Sequence, residues 1–148
     1  MYRSDGEIVQ EPLAHSPEPP IPEQTYKCHV GKVQNQAMVN AREASNYYAG
    51  DKDAFVQEVE SAATYHDLGK LDEANQEVLR RVRAGKLPVP HEDAGVAELL
   101  RLNRNESAAV VAAHHAGLFC AEKEQKKRDR LLRDVRERAV KGQNIVVA

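Results

Sequence analysis

The sequence has no tryptophan, and aromatic residues of any kind make up only 5% of its 148 positions. A core without large rings has to be built from aliphatic side chains, and a 41% hydrophobic content is enough for one domain of this length. Alanine-rich and leucine-rich charged sequence with little alternation of β-branched residues is typical of helices. We therefore predict a single all-α domain over residues 1–148, with a core of alanine, valine and leucine.

Cysteines and long apolar runs are also scarce. The two cysteines, Cys28 and Cys120, do not form a C-x-x-C pair. Two cysteines are too few for a disulfide scaffold and favour a reducing, cytoplasmic compartment. The chain has no run of about 18 apolar residues, which a membrane-spanning helix would need. Its first residues also lack the apolar segment of a signal peptide, so we expect no membrane partner.

An excess of basic residues is missing as well. The chain has 21 basic and 23 acidic residues, which gives a net charge of −2. This excludes a global positive field as the means of binding nucleic acid, although a metal site would supply local positive charge. Two basic clusters, at 80–86 and 126–133, could track a phosphate backbone, but each is more typical of a solvated helix face. The sequence contains no glycine-rich phosphate loop.

The chain divides into three parts by composition. Residues 1–24 contain five of the seven prolines, which predicts an extended lead-in segment. Residues 25–118 carry successive amphipathic patterns and form the predicted metal-binding helical core. Residues 119–148 predict one charged helix with a thin leucine seam, and its apolar ending, QNIVVA, suggests a truncation.

Capping residues and apolar spacing predict five helices in the core. Thr25 is a plausible N-cap for the first, and Asp51 or Asp53 for the second. The first helix is expected to bury the stripe Val30, Val33, Ala37, Ala41 and Ala44. The predicted helices cover about 26–48, 54–67, 72–83, 92–102 and 106–116, with Val78, Leu79 and Val82 as the apolar positions of the third.

Against these absences the chain has six histidines, and His66 is followed directly by Asp67 at the end of an apolar helical pattern. An imidazole nitrogen beside a carboxylate oxygen is a mixed ligand set for a divalent metal. Neighbouring helical residues point about 100° apart. Both can therefore reach one ion only at the helix terminus, unless Asp67 bridges two ions. Taken alone, the pair is more typical of a surface dipeptide or of a histidine hydrogen-bonded to an aspartate.

His114 and His115 end the most apolar helix pattern, SAAVVAAHHAG. Buried imidazoles need polar partners, which a metal would provide. The alternative is one core histidine bonded to a backbone carbonyl and one exposed histidine. His91, held in a rigid loop after Pro-Val-Pro, and His29, one turn before an apolar stripe residue, mean little in isolation. Lys70 could stabilise charge on a phosphate or simply be a solvated lysine at a helix end.

The order of these residues carries more information than any one of them. It resembles the HD-domain metal-dependent phosphohydrolase superfamily, and is most similar to the HD nuclease domain of the CRISPR-associated helicase–nuclease family. The H-D-x-G-K motif is general to the superfamily, whereas the A-H-S and H-H-x-G-L segments are specific to the CRISPR variety. The matching segments are Ala14-His15-Ser16, Tyr26–Val30, His66–Lys70, Pro90-His91, Ala94-Gly95 and His114–Leu118.

The resemblance implies a helical bundle with a centre of two divalent ions (manganese, nickel, cobalt, iron or magnesium) between its helices. It implies that Asp67 bridges the ions and is catalytic, and that Lys70 is catalytic by holding the scissile phosphate. One ion would be bound by His29, His66 and Asp67, and the other by Asp67, His91, His114 and His115. The family cleaves single-stranded DNA in CRISPR-based antiviral defence. A helicase domain or subunit, with a CRISPR RNA-guided surveillance complex, would supply the strand.

The family pattern includes a further aspartate well downstream of the histidine pair. Asp129 and Asp134 are the only aspartates there, and both lie in a highly charged stretch typical of a solvated helix. Two alternatives therefore stay open. The chain could be a small HD phosphohydrolase acting on nucleotides or cyclic nucleotides, or a truncated HD module that binds metal or a partner without catalysis.

Overall fold

The computed structural model describes residues 10–83 and 85–114, and this part of the chain is mainly helical. A two-stranded sheet comes first, with β1 at Leu13–His15 and β2 at Gln24–Thr25. The helices are α1 Tyr26–Ser45, α2 Lys52–Tyr65, α3 Glu73–Leu79, α4 His91–Arg101 and α5 Asn105–Ala113, with a 3-10 helix at Leu68–Leu71 between α2 and α3. The mainly helical character predicted from composition is thus confirmed for the described residues.

The described part of the proline-rich lead-in forms two short strands and folds back on itself. β1 and β2 are antiparallel, with Leu13 opposite Thr25 and His15 opposite Gln24. Leu13 is buried against the helices. The sequence did not predict this pairing, because it depends on a chain reversal between the strands that no local alternation specifies.

The first two helices start at their predicted caps, whereas α1 and α3 end earlier than predicted. The Thr25 hydroxyl accepts a hydrogen bond from the Cys28 amide, and the Asp51 carboxylate caps α2. However, α1 ends at Ser45, and Ala44 of the predicted buried stripe is exposed. Likewise, α3 ends at Leu79, and Val82 is 64% exposed. The ends differ because the apolar pattern continued past the point where packing stops.

The core lies where α5 packs against α2 and α4. Its buried cluster is entirely aliphatic, as composition predicted, and consists of Ala62, Val96, Leu99, Ala108, Val111 and Ala112. Gly95 allows the close crossing of α4 and α2, because a Cβ at this position would overlap the Tyr65 carbonyl oxygen. This crossing brings the start of α4 close to the end of α2.

Among the described residues, no helix combines the length and apolarity that crossing a bilayer requires. The predicted charged helix at 119–148 lies outside the described residues. So do His115, Asp129, Asp134 and the second basic cluster, at 126–133. The predictions made for these positions are therefore left as they stand.

Candidate metal centre

The chain changes direction between His66 and Asp67. His66 follows α2 with helical backbone angles, whereas Asp67 has φ −116° and ψ 17° and precedes the 3-10 helix. The two side chains therefore point to one place, with His66 Nε2 3.2 Å from Asp67 Oδ2. The sequence predicted that both residues can reach one ion only at a helix terminus, and both side chains lie at the end of α2.

Four histidines from different helices surround the Asp67 carboxylate, whose side chain is 3% exposed. His29, in the first turn of α1, places Nε2 3.0 Å from Asp67 Oδ2. His91, the first residue of α4, and His114, which follows α5, place Nε2 3.4 Å and 3.8 Å from Asp67 Oδ1. The structure thus brings together every predicted ligand that lies within its described residues.

The far nitrogens of two rings are held by backbone carbonyls. His66 Nδ1 donates to the Ala63 carbonyl at 2.9 Å, and His114 Nδ1 donates to the Val111 carbonyl at 2.6 Å. Because a carbonyl only accepts, Nδ1 carries a proton, so Nε2 faces Asp67 with a lone pair when the ring is neutral and with an N–H when the ring is protonated. A lone pair facing a carboxylate is repelled unless a proton or a cation lies between them. Histidine ligands of metals are oriented in the same way.

The ligand atoms fall into two groups that share Asp67. His29 and His66 form one group with Asp67, and His91 and His114 form the other; the atoms of each group lie within 4.8 Å of one another. Oδ2 faces the first pair of histidines and Oδ1 faces the second. Two imidazole nitrogens and a carboxylate oxygen suit a divalent transition metal. The described residues therefore fit two ions bridged by one carboxylate.

Lys70 forms a buried ion pair with the same carboxylate. Its Nζ lies 2.8 Å from Asp67 Oδ2, and the two side chains are 9% and 3% exposed. Burial raises the pKa of Asp67, but the lowering by His114, His66 and Lys70 is larger. Together these interactions hold the pKa of Asp67 well below its usual range. Asp67 is therefore ionised across the physiological range, as a metal ligand must be.

His29 and His114, one from each ligand group, differ in their affinity for protons. Burial lowers the pKa of His29 and outweighs the Asp67 carboxylate, which raises it, while the Lys70 ammonium acts in the same direction as burial. Burial also lowers the pKa of His114, but the Asp67 carboxylate and the Val111 carbonyl raise it above 6.5. An ion in the second group must therefore compete with a proton on His114 more than an ion in the first group competes at His29.

Two residues of the lead-in segment belong to the surroundings of the site. Gln24 Oε1 lies 3.2 Å from His29 Nδ1 and holds that ring as backbone carbonyls hold the rings of His66 and His114. The His15 ring packs edge-on against His29 at a centroid distance of 4.8 Å. His15 was signalled only by the A-H-S match, and no sequence signal pointed to Gln24, because its role depends on the pairing of β2 with β1.

Two depressions meet at this centre. The larger, of about 920 Å³, is lined by apolar side chains and by charged ones of both signs, including Lys70, Lys32, Arg83, Glu18 and Glu23, and it reaches His91. Arg83 comes from the basic cluster predicted at 80–86. The smaller, of about 460 Å³, has a lining of small aliphatic side chains from α1, α2 and α5 apart from the centre itself. A polar ligand would therefore approach Lys70 and His91 through the larger cleft.

Comparisons of the chain with protein-family models, with curated proteins and with solved structures give no match. The resemblance to the HD superfamily accordingly remains a prediction from motif order.

Proposed function

We propose that the chain is a metal-dependent phosphodiesterase of the HD type, a nuclease that cleaves single-stranded DNA. The observation that supports it best is the convergence of four histidine Nε2 atoms on the buried carboxylate of Asp67. Two of these rings direct their Nδ1 protons to backbone carbonyls on the far side, so in their neutral form they face Asp67 with lone pairs and not with donors. Such a set of facing lone pairs is favourable once cations occupy the centre.

Each ligand group would hold one ion. His29 and His66 would bind the first ion and His91 and His114 the second, with Asp67 shared by both. When bound, divalent metal ions polarise phosphoryl oxygens and bring the pKa of water toward neutrality. Imidazole-rich donor sets accept manganese, iron, cobalt or nickel as well as magnesium.

Lys70 places a positively charged side chain directly beside Asp67. Its ammonium contacts Asp67, and the residue also lines the larger cleft. It can therefore restrain the shared carboxylate and donate to a non-bridging oxygen of a phosphodiester. Removing a single donor of this kind typically lowers kcat by about 10²–10³-fold, and we assign this role to Lys70.

The larger cleft favours a substrate with several phosphates. Its volume of about 920 Å³ lies at the upper end of the range for small-ligand pockets, roughly 300–1,000 Å³. Lys32 and Arg83 line it in addition to Lys70, and basic side chains along a cleft are typical of sites that track a nucleic-acid backbone. Together with the motif resemblance, this supports a DNA strand supplied by a helicase domain or subunit in CRISPR-based defence.

The proposal is tested by offering circular single-stranded DNA with Mn²⁺ or Ni²⁺, beside a panel of nucleotides and cyclic nucleotides. We expect the circles to be opened, and we expect EDTA and Asp67→Asn to abolish the reaction. Hydrolysis of nucleotides with intact DNA would replace the nuclease with a small-molecule phosphohydrolase. Stoichiometric metal without hydrolysis of any phosphoester would show a binding module.

A further inference from the structure

Asn75 is a fully buried polar side chain on α3, with 0% of the residue exposed. Its Nδ2 donates to the Gly69 carbonyl at 2.9 Å and to the Val89 carbonyl at 3.0 Å. Its Oδ1 accepts a hydrogen bond from the Val89 amide at 3.0 Å. Both N–H groups of the carboxamide are used on backbone carbonyls, so the side chain joins two segments that are far apart in sequence.

Each of these segments carries a candidate metal ligand two residues away. Gly69, in the 3-10 helix, comes two residues after Asp67. Val89 comes two residues before His91, which is the first residue of α4. The two backbones are already in contact, because a Cβ at position 69 would lie 2.5 Å from the His91 carbonyl oxygen and 2.7 Å from His91 Cα. Asn75 therefore spans the point where the second ligand group is assembled.

The loop before α4 offers one suitable residue for such a connection. Val89 lies between Pro88 and Pro90, and proline has no backbone N–H to donate. Val89 is therefore the residue of this tripeptide that can both donate to a carboxamide and accept from it, as it does with Asn75. The 3-10 helix has other restraints, including the hydrogen bond from the Lys70 amide to the Asp67 carbonyl at 2.9 Å.

We propose that Asn75 is a positioning residue for the second metal ion: it fixes His91 relative to Asp67 by clamping the loop at Val89 onto Gly69. The inference rests on the proposed metal centre. The first ligand group is positioned by α1 and α2 instead, with Gln24 and the Ala63 carbonyl holding its rings. Loss of the Asn75 carboxamide should therefore affect the two ions unequally.

The adjacent residue provides a matched control. Gln76 is also buried on α3, and its carboxamide also makes three backbone hydrogen bonds. These bonds go to the amide and carbonyl of Leu13 and to the Lys70 carbonyl, so they tie down β1 rather than the loop before His91. Gln76→Ala thus removes equivalent bonds without releasing Val89.

The test is calorimetric titration of the metal-free protein with Mn²⁺. His29→Ala and His91→Ala identify which binding event belongs to each ligand group. We expect Asn75→Ala to weaken the event assigned to His91 by about 10–100-fold, the usual cost of losing a partner that orients a ligand. We expect Gln76→Ala to retain the event assigned to His91, because its bonds do not reach Val89, and Asn75→Ala to add no further loss in the His91→Ala background.

Two results would overturn the inference. A folded Asn75→Ala variant that binds both ions as the wild type does would show that Asn75 only stabilises the fold, and so would equal weakening of both events. If the alanine variant does not fold, Asn75→Ser retains one hydroxyl donor and should show the same selective loss in a smaller degree. Absence of metal binding to the wild type would refute the proposed centre itself, which is a different outcome from two events insensitive to Asn75.

Discussion

Asp67→Asn is the substitution with the most specific expected consequences. It conserves the shape of the side chain but removes the negative charge that Lys70 contacts at 2.8 Å. The Lys70 side chain is 9% exposed, so its ammonium would stay buried beside a neutral amide. Removing one partner of a buried ion pair costs about 3–5 kcal/mol. Because domains typically have a free energy of unfolding of about 5–15 kcal/mol, we expect a folded but clearly less stable variant.

The same substitution should remove both ions rather than one. Asp67 is the residue common to the two ligand groups, and each of its oxygens faces a different pair of histidines. A neutral amide is a poorer ligand, and its N–H₂ group would stand where a lone-pair donor is needed. We expect the metal content to fall from two ions per chain to none, and cleavage of circular DNA to fall to background.

The assays are denaturant unfolding in EDTA, metal content by mass spectrometry, and DNA cleavage, with Asp72→Asn as the matched control. Asp72 is also buried, and its carboxylate caps α3 by accepting from the Ala74 amide at 3.0 Å. Asparagine is as good an N-cap as aspartate, so this control should keep both ions. Retention of two ions by Asp67→Asn, or an equal loss of metal from Asp72→Asn, would refute the role of Asp67 as the ligand shared by both ions.

Three further predictions concern pH, packing and capping. Because the pKa of His114 is raised above 6.5, protons compete increasingly with the second ion for this imidazole as the pH falls. Titrations from pH 8 to 6 should therefore show the affinity for the second ion declining before that for the first, and a pH-independent affinity would contradict this. Gly95→Ala should lower the free energy of unfolding by more than the roughly 1–3 kcal/mol that overpacking usually costs, because the added Cβ would overlap the Tyr65 carbonyl. An unchanged denaturation midpoint would show that α4 can move away. Asp51→Ala removes the α2 cap and should cost about 0.5–2 kcal/mol with metal affinity unchanged, which denaturation and titration together check.

Features that depend on neighbouring residues were predicted well. The Thr25 and Asp51 caps are confirmed, because a cap needs only one side chain and the amides of the next turn. The aliphatic core is confirmed because composition left no other material for it. Helix ends were less accurate, as at Val82, since an amphipathic pattern does not show where the packing partner ends.

The sequence predicted which residues are candidate ligands and their order along the chain, but not the geometry in which they meet. The sequence could not assign Oδ2 of Asp67 to His29 and Oδ1 to His91. Nor could it show Asn75 and Gln76 as buried connectors, because adjacent polar residues in a short helix are usually solvated. Their partners, Val89 and Leu13, are distant in sequence and are brought close only by packing.

The sequence by itself determined which side chains are available to bind metal and which segments form helices, because hydrogen-bonding periodicity and capping are local. Only the tertiary structure decided that these side chains converge on Asp67. It also decided that a paired lead-in segment places His15 and Gln24 beside His29. The physical reason is that the relative positions of distant segments are set by the packing of small residues such as Gly69 and Gly95, whose contacts the local pattern does not contain.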